Sequence, residues 1–273
     1  MSEAQDRQAL SDYARRMHQS GWVANHDGNL SVRLGDKRFL ATPTSTSKAD
    51  VTPPSIVLVD DCGVVQGRGK VFSEIGLHLL VYRLRSDVHA VVHAHPPAAT
   101  AFAVAGVALP EPFIAEALVS LGPSIPLVPS AAPGPAAVAA LEKFVAEHDA
   151  VLLGNHGVLA WGKNTEQAFL RCELVEHLAK ITLAAQPLGG PRPLPRPVVA
   201  AMMEARRKAG LGQAAERAQV PSGSVPASGP PSVIACAPAP PGATVTVRER
   251  PKLPPPGELA ALIREELERT LRK

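Results

Sequence analysis

The segment DAVLLGNHGVLAWG, residues 149–162, constrains the fold more than any other stretch of the chain. Two apolar runs flank a Gly-Asn-His-Gly turn, which reads as two strands folded back on each other. The first run, AVLL, shows no apolar-polar alternation, so it suits a central strand covered on both faces. A sheet covered on both faces needs helices above and below it.

The rest of the chain supplies such elements. Leu10, Tyr13, Ala14 and Met17 recur at helical spacing and Gly21 is a stop signal, which predicts an opening amphipathic helix. NLSVRL alternates, RFLAT can pair with it, and SIVLVD reads as a third short strand; DCGVVQGRGK reads as turn, strand and turn. From Ser73 the period changes to that of a helix, with Leu77, Leu80, Val81 and Leu84 on one face and Glu74 in the first turn. HAVVHAH is short and β-branched, hence a strand ended by Pro96 and Pro97, and a helix follows through AATAFAVAG. Asn164 with Gln167 resembles a capping box, and Phe169, Leu170, Leu174, Leu178 and Ile181 line the helix after it. Strands and helices alternate, so an α/β sandwich is expected.

Composition places the core in the N-terminal part. Sixteen of the 28 prolines lie between Pro187 and Pro256, and no Phe, Trp or Tyr follows Phe169. Residues 219–256 are Pro, Ala, Ser and Gly with few large apolar side chains, so they cannot offset their own ordering entropy. The expected organisation is a catalytic domain over residues 1–218, a flexible linker over 219–256 and a terminal helix over 257–273. A net charge of +3 with Lys and Arg spread along the chain lacks the footprint of a nucleic-acid binder. Three separated cysteines, a polar N-terminus and no membrane-length apolar run predict a cytoplasmic protein with no membrane partner.

Three histidines, His89, His93 and His95, fall in seven positions of one apolar run. Alternation puts His93 and His95 on one face of a strand. A metal site of the catalytic type takes three protein ligands and keeps a position open. His156, in the tight GNHG turn, is the best third ligand, and Glu74 is the candidate adjacent carboxylate. Spacing alone leaves the other reading open, a pair of hydrogen-bonded core histidines.

The segments GNLSVR, FLATPTS, SEIGLHLLVYR, VHAVVHAHPPAATA and DAVLLGNHGVLAWG together resemble, in order and separation, the class II aldolase/adducin family of zinc-dependent sugar-phosphate aldolases. The resemblance spans roughly Ala4 to Gly190 and is similar to the L-fuculose-phosphate aldolase branch. It implies a three-layer αβα sandwich around a mixed, largely antiparallel sheet, and a homotetramer with active sites at subunit boundaries. It also implies one Zn2+ per chain on His93, His95 and His156, with Glu74 as ligand of the resting metal or as base. The family's phosphate pocket maps onto Gly28, Asn29, Thr42, Thr44, Ser45 and Ser73. Hydroxyls and backbone N–H groups at a helix start suit an anion.

Three departures stand out. Phe72 occupies a position where a second serine is usual, and Ser45 one where glycine is usual. PEPFIAEALVSLG holds no tyrosine to match the family's general acid, leaving Glu116 or a residue of a neighbouring subunit. The expected reaction is cleavage of a ketose 1-phosphate to dihydroxyacetone phosphate and an aldehyde. The alternatives are a metal-dependent epimerase, dehydratase or sugar-acid decarboxylase on the same fold, or a non-catalytic scaffold; a scaffold has no use for an open metal site.

Overall fold

The computed structural model describes residues 2–211. The expected linker and terminal helix therefore lie outside the described residues. Seven strands form one sheet: β1 (Asn29–Gly35), β2 (Arg38–Ala41), β3 (Val57–Val59), β4 (Ala90–Ala94), β5 (Leu127–Val128), β6 (Ala150–Leu153) and β7 (Gly157–Gly162). Their order is β3-β2-β1-β4-β7-β6-β5. Every pairing is antiparallel except β5 with β6. Helices α1 (Glu3–Gln19), α3 (Pro97–Ala105), α4 (Ala115–Leu121) and α6 (Thr165–Ala185) pack on one face, and α2 (Ile75–Leu84) and α5 (Pro135–Val145) on the other. This is the three-layer αβα sandwich with a mixed, largely antiparallel sheet.

Strand alternation divides the core. Ala90, Val92 and Ala94 of β4 face the α1–α3–α6 layer, while Val91 faces the α2–α5 layer. Trp22 and Trp161 are both buried as core anchors, and Trp22 stacks on Phe169 at 5.0 Å between centroids. The final helix, α7 (Arg196–Lys208), packs on α4. Among the described residues, no helix is long and apolar enough to cross a membrane.

Four local expectations shift. Glu74 is the N-cap of α2 rather than part of its first turn, and its side chain makes no capping bond, which leaves the carboxylate to partners outside the helix. Val65 forms only an isolated bridge to Val59, because the glycines around it permit no ladder. On α6, Phe169 and Leu178 are buried as expected, but Leu170 is exposed, and the buried face also takes in Ala168, Cys172, Val175 and Ala179. Small side chains there let α6 lie close against β7. The Asn164 carboxamide caps α6 by accepting from Gln167 N, but the Gln167 side chain accepts from Lys163 N, so the capping box is only half formed.

Candidate metal centre

One end of the sheet gathers the chemistry. Asn29 at the start of β1 pairs with His93 near the end of β4, and Val158 of β7 pairs with Ala94. The end of β4 and the β6–β7 turn are thereby neighbours. Asn155 in that turn has a positive φ of 56°, which an asparagine tolerates. Gly157 closes the turn where a Cβ would come within 2.5 Å of Ala94 O and 2.6 Å of the His95 ring. Only glycine lets the turn carrying His156 approach the end of β4 so closely.

The three imidazoles converge through one nitrogen each. His93 Nε2 is 3.1 Å from His95 Nε2 and 3.3 Å from His156 Nε2. His93 Nδ1 donates to Val158 O at 2.8 Å, so its Nε2 presents a lone pair inward. The Asp27 carboxylate faces His95 Nδ1 at 3.5 Å and favours the same tautomer. Glu74 Oε1 lies 3.0 Å from His156 Nε2, Glu74 Oε2 lies 3.5 Å from His93 Nε2, and Asn29 Nδ2 donates to Glu74 Oε2 at 3.0 Å. Lone pairs aimed at each other without an intervening proton repel. A cation at their focus removes that repulsion, and nitrogens bound at 2.0–2.1 Å around a tetrahedral ion stand about 3.3 Å apart. The donor set therefore fits a divalent cation.

Electrostatics agree with that role. Burial at His93 pushes its imidazolium pKa down to about 3, against the attraction of Glu74. His95 is lowered as well, first by burial and then by His156. Burial alone would raise the Glu74 carboxyl, but the contact with His156 Nε2, the pull of the His93 and His156 rings and the Asn29 amide outweigh it and hold the group far below the usual carboxylate range. His93 is 1% exposed, whereas His95 and His156 retain 25% and 34%, so one side of the cluster stays open.

The expected phosphate residues divide. Gly28, with φ +69°, packs so tightly that a Cβ would lie 2.4 Å from Val23 and 3.1 Å from His93 O. Thr42 is fully buried, and its hydroxyl exchanges hydrogen bonds with the Leu30 backbone, so it braces β1 rather than facing a ligand. Thr44, Ser45 and Ser73 remain open to solvent, with Ser45 at a positive φ of 54°. Asn29 Oδ1 is buried without a partner. Phe72 packs in the core against His78, which explains why no hydroxyl is offered there. Glu116 is exposed on α4 and does not line the cavity beside the histidines.

That cavity, about 350 Å3, borders Ser73, Glu74 and His156 and extends to Leu77, Val128, Val138 and Leu153. Apart from Glu74 and His156, no charged side chain lines it. His89 belongs elsewhere, in a cleft with Glu3, Asp6 and Lys163. Sequence reasoning missed three residues that shape the site. Asp27 faces His95, Lys48 sits behind Asp27, and the buried Glu176 carboxylate accepts from Ala98 N and Ala99 N at the start of α3, just after His95. Their partners are far away in sequence, and no periodic signal marks them.

Known proteins resemble the chain over most of its described length. Residues 8–183 match the Class II Aldolase and Adducin N-terminal domain. The chain is 31% identical over 194 residues to the 5-deoxy-D-ribulose 1-phosphate aldolase of Bacillus thuringiensis serovar kurstaki, covering 70% of this chain and 90% of that protein. It is 31% identical over 180 residues to the methylthioribulose-1-phosphate dehydratase of Methylococcus capsulatus, covering 62% of this chain and 88% of that one. A 3-oxo-tetronate 4-phosphate decarboxylase of Escherichia coli is also 31% identical, over 64% of this chain and 84% of its own length. Among solved structures, an L-fuculose 1-phosphate aldolase superposes with a TM-score of 0.69 at 29% identity, covering 75% of this chain and 97% of that chain. The chain belongs to the class II aldolase and adducin family.

Proposed function

We propose that the chain is a zinc-dependent aldolase that splits a ketose 1-phosphate into dihydroxyacetone phosphate and an aldehyde. The observation that carries this reading is the meeting of three imidazole nitrogens and the Glu74 carboxylate at the sheet end where Asn29 also lies. Imidazole donors favour zinc over magnesium, which prefers a cage of oxygens. His93, His95 and His156 would hold the ion, which supplies Lewis-acid stabilisation of charge developing on substrate oxygens.

The remaining work falls to the protein. Glu74, held ionised, accepts the proton of the C4 hydroxyl as the C3–C4 bond breaks, and the bonding electron pair stays on the three-carbon phosphate half. The protonated carboxyl then returns its proton to C3, so the cleavage balances. Asn29 orients the carboxylate, and Thr44, Ser45 and Ser73 offer hydroxyls to the phosphate. The apolar walls of the cavity favour a far end without a hydroxyl, in keeping with the 5-deoxy substrate named for the Bacillus thuringiensis relative. A cytoplasmic homotetramer belongs to the same reading, in which a neighbouring subunit rather than the remote Glu116 would assist proton transfer at the C4 oxygen.

A second reading keeps the metal and changes the reaction to dehydration, epimerisation or decarboxylation. Phe72 in place of a serine favours it, and the relatives include a dehydratase and a decarboxylase. A panel of ketose 1-phosphates beside phosphorylated 3-oxo acids separates the two. Triose phosphate from a ketose, followed by coupling to a reductase, is the expected result. Carbon dioxide from an acid, with no triose phosphate from any ketose, would move the assignment to the decarboxylase.

A further inference from the structure

Lys48 is an unusual residue to bury. It is 1% exposed and ranks among the largest fully enclosed side chains of the described residues. An ammonium removed from water must find strong acceptors, whereas an apolar side chain of the same length would fill this space without that demand. Its Nζ donates to Thr46 O at 2.9 Å and to His26 O at 3.1 Å. These carbonyls belong to two different irregular loops, one after β2 and one before β1. Asp27 is the neighbouring charge, and Asp27 Oδ2 is the carboxylate oxygen 3.5 Å from His95 Nδ1. The loop before β1 ends in Gly28, which is packed against Val23, Met17 and His93 O. A shift of this loop therefore reaches two of the three histidines.

We propose that Lys48 is a positioning residue that fastens the Thr44–Thr46 loop to the His26–Asp27 loop, so that a phosphate held by the first loop and the carboxylate facing His95 move as one unit. The proposal rests on the reading that a substrate phosphate meets Thr44 and Ser45. Ser45 holds a left-handed conformation that favours glycine, and a cross-tie from behind steadies the loop that carries it.

The test uses metal-loaded full-length protein. Hydrogen exchange of the wild type is followed by mass spectrometry with and without inorganic phosphate. Protection of residues 24–28 together with 44–48 is expected; protection confined to 44–48 would overturn the coupling. Lys48→Met and Lys48→Arg are then compared for melting temperature, metal content and phosphate affinity by calorimetry. Lys48→Met is expected to melt and bind metal as the wild type does, but to bind phosphate more weakly and to lose about 10²-fold in kcat/KM for a ketose 1-phosphate. The same ketose without phosphate should lose much less, and Lys48→Arg should recover most of the loss. A fall in melting temperature with unchanged phosphate affinity would reduce Lys48 to a structural residue and overturn the proposal. If no ketose is cleaved by any form, the aldolase reading fails, while the exchange and phosphate-binding results still decide the role of Lys48.

Discussion

Glu74 Oε1 stands 3.0 Å from His156 Nε2, while Asn29 Nδ2 holds the other carboxylate oxygen at 3.0 Å. One carboxylate is thus fixed between a strand start and a turn, beside three converging imidazoles. Replacing it with an amide of the same shape keeps the packing and removes the proton acceptor. Glu74→Gln is expected to retain the fold and most of the metal, and to lower turnover by about 10²-fold or more. Circular dichroism, elemental analysis and kcat on the same preparations check this. Unchanged turnover would remove Glu74 from the chemistry.

The histidine run makes a contrast between the two ends of β4. His95 joins the cluster, whereas His89 lines the separate cleft with Glu3 and Asp6. About one zinc ion per chain is expected in purified protein, with His95→Ala lowering occupancy strongly and His89→Ala leaving it unchanged. Elemental analysis of the three proteins side by side decides the matter. Equal loss in both variants would contradict the geometry.

A pH effect follows from His78, which is not in the cluster. It is fully buried, its Nδ1 is 2.7 Å from Ser31 Oγ, and its Nε2 has no partner. Burial, aided by His93, lowers its pKa from 6.5 to about 3. Between these values the unfolded chain binds a proton that the native state refuses, so native stability falls as pH drops from about 6.5 toward 3 and the loss is complete below it. Urea midpoints of metal-stripped protein should decline over this window, and His78→Gln should shrink the decline. An identical pH slope in the variant would exclude His78 as a source.

Much of this site was legible before any coordinates, for identifiable reasons. His93 and His156 sit in short local patterns, a strand and a glycine-flanked turn, whose geometry follows from a few neighbouring residues. Glu74 lies where the period changes from strand to helix. Asp27, Lys48 and Glu176 carry no such mark, because each acts through a backbone or side-chain partner brought near only by the fold. Thr42 shows the converse: its position suggested a ligand contact, yet the pairing of β1 with β2 engages its hydroxyl. β5 and α5 leave little trace in the sequence, one being two residues long and the other built mainly from alanine and valine.

The cavity beside Glu74 yields a prediction about selectivity. Val138 and Leu77 contribute apolar wall, and the side chain of Val138 is half-buried, so a polar substitution there is compatible with folding. Wild-type protein is expected to prefer a ketose 1-phosphate ending in a methyl group over its hydroxylated counterpart, by roughly the 10- to 200-fold that one apolar group supplies in a fitted pocket. Val138→Asn should narrow the preference. Equal kcat/KM for the two ketoses in the wild type would show that the far end lies elsewhere.

Asp149 sets the last expectation, because the fold concentrates charge around it. It is 1% exposed and accepts from Arg85 and Arg171 at 3.0 Å each, and from Arg206 of α7. Arg206 also donates to Val119 O of α4 at 2.7 Å, so this one carboxylate ties α7 to the start of β6. Removing the anion leaves the buried guanidinium groups of Arg171 and Arg206 without their counter-ion, while Arg85 keeps Asp87, and the cost of breaking such a network by one partner is about 3–5 kcal/mol. Asp149→Asn should lower the denaturant midpoint accordingly without changing the ligands of the metal cluster. Truncation after Ala218 keeps α7 and its arginine, so the melting temperature and metal content should match the full chain. Truncation after Gly190 removes Arg206 and exposes the α4 surface it covers, so the melting temperature should fall. If both truncations melted alike, Arg206 would not be the anchor that the geometry makes it.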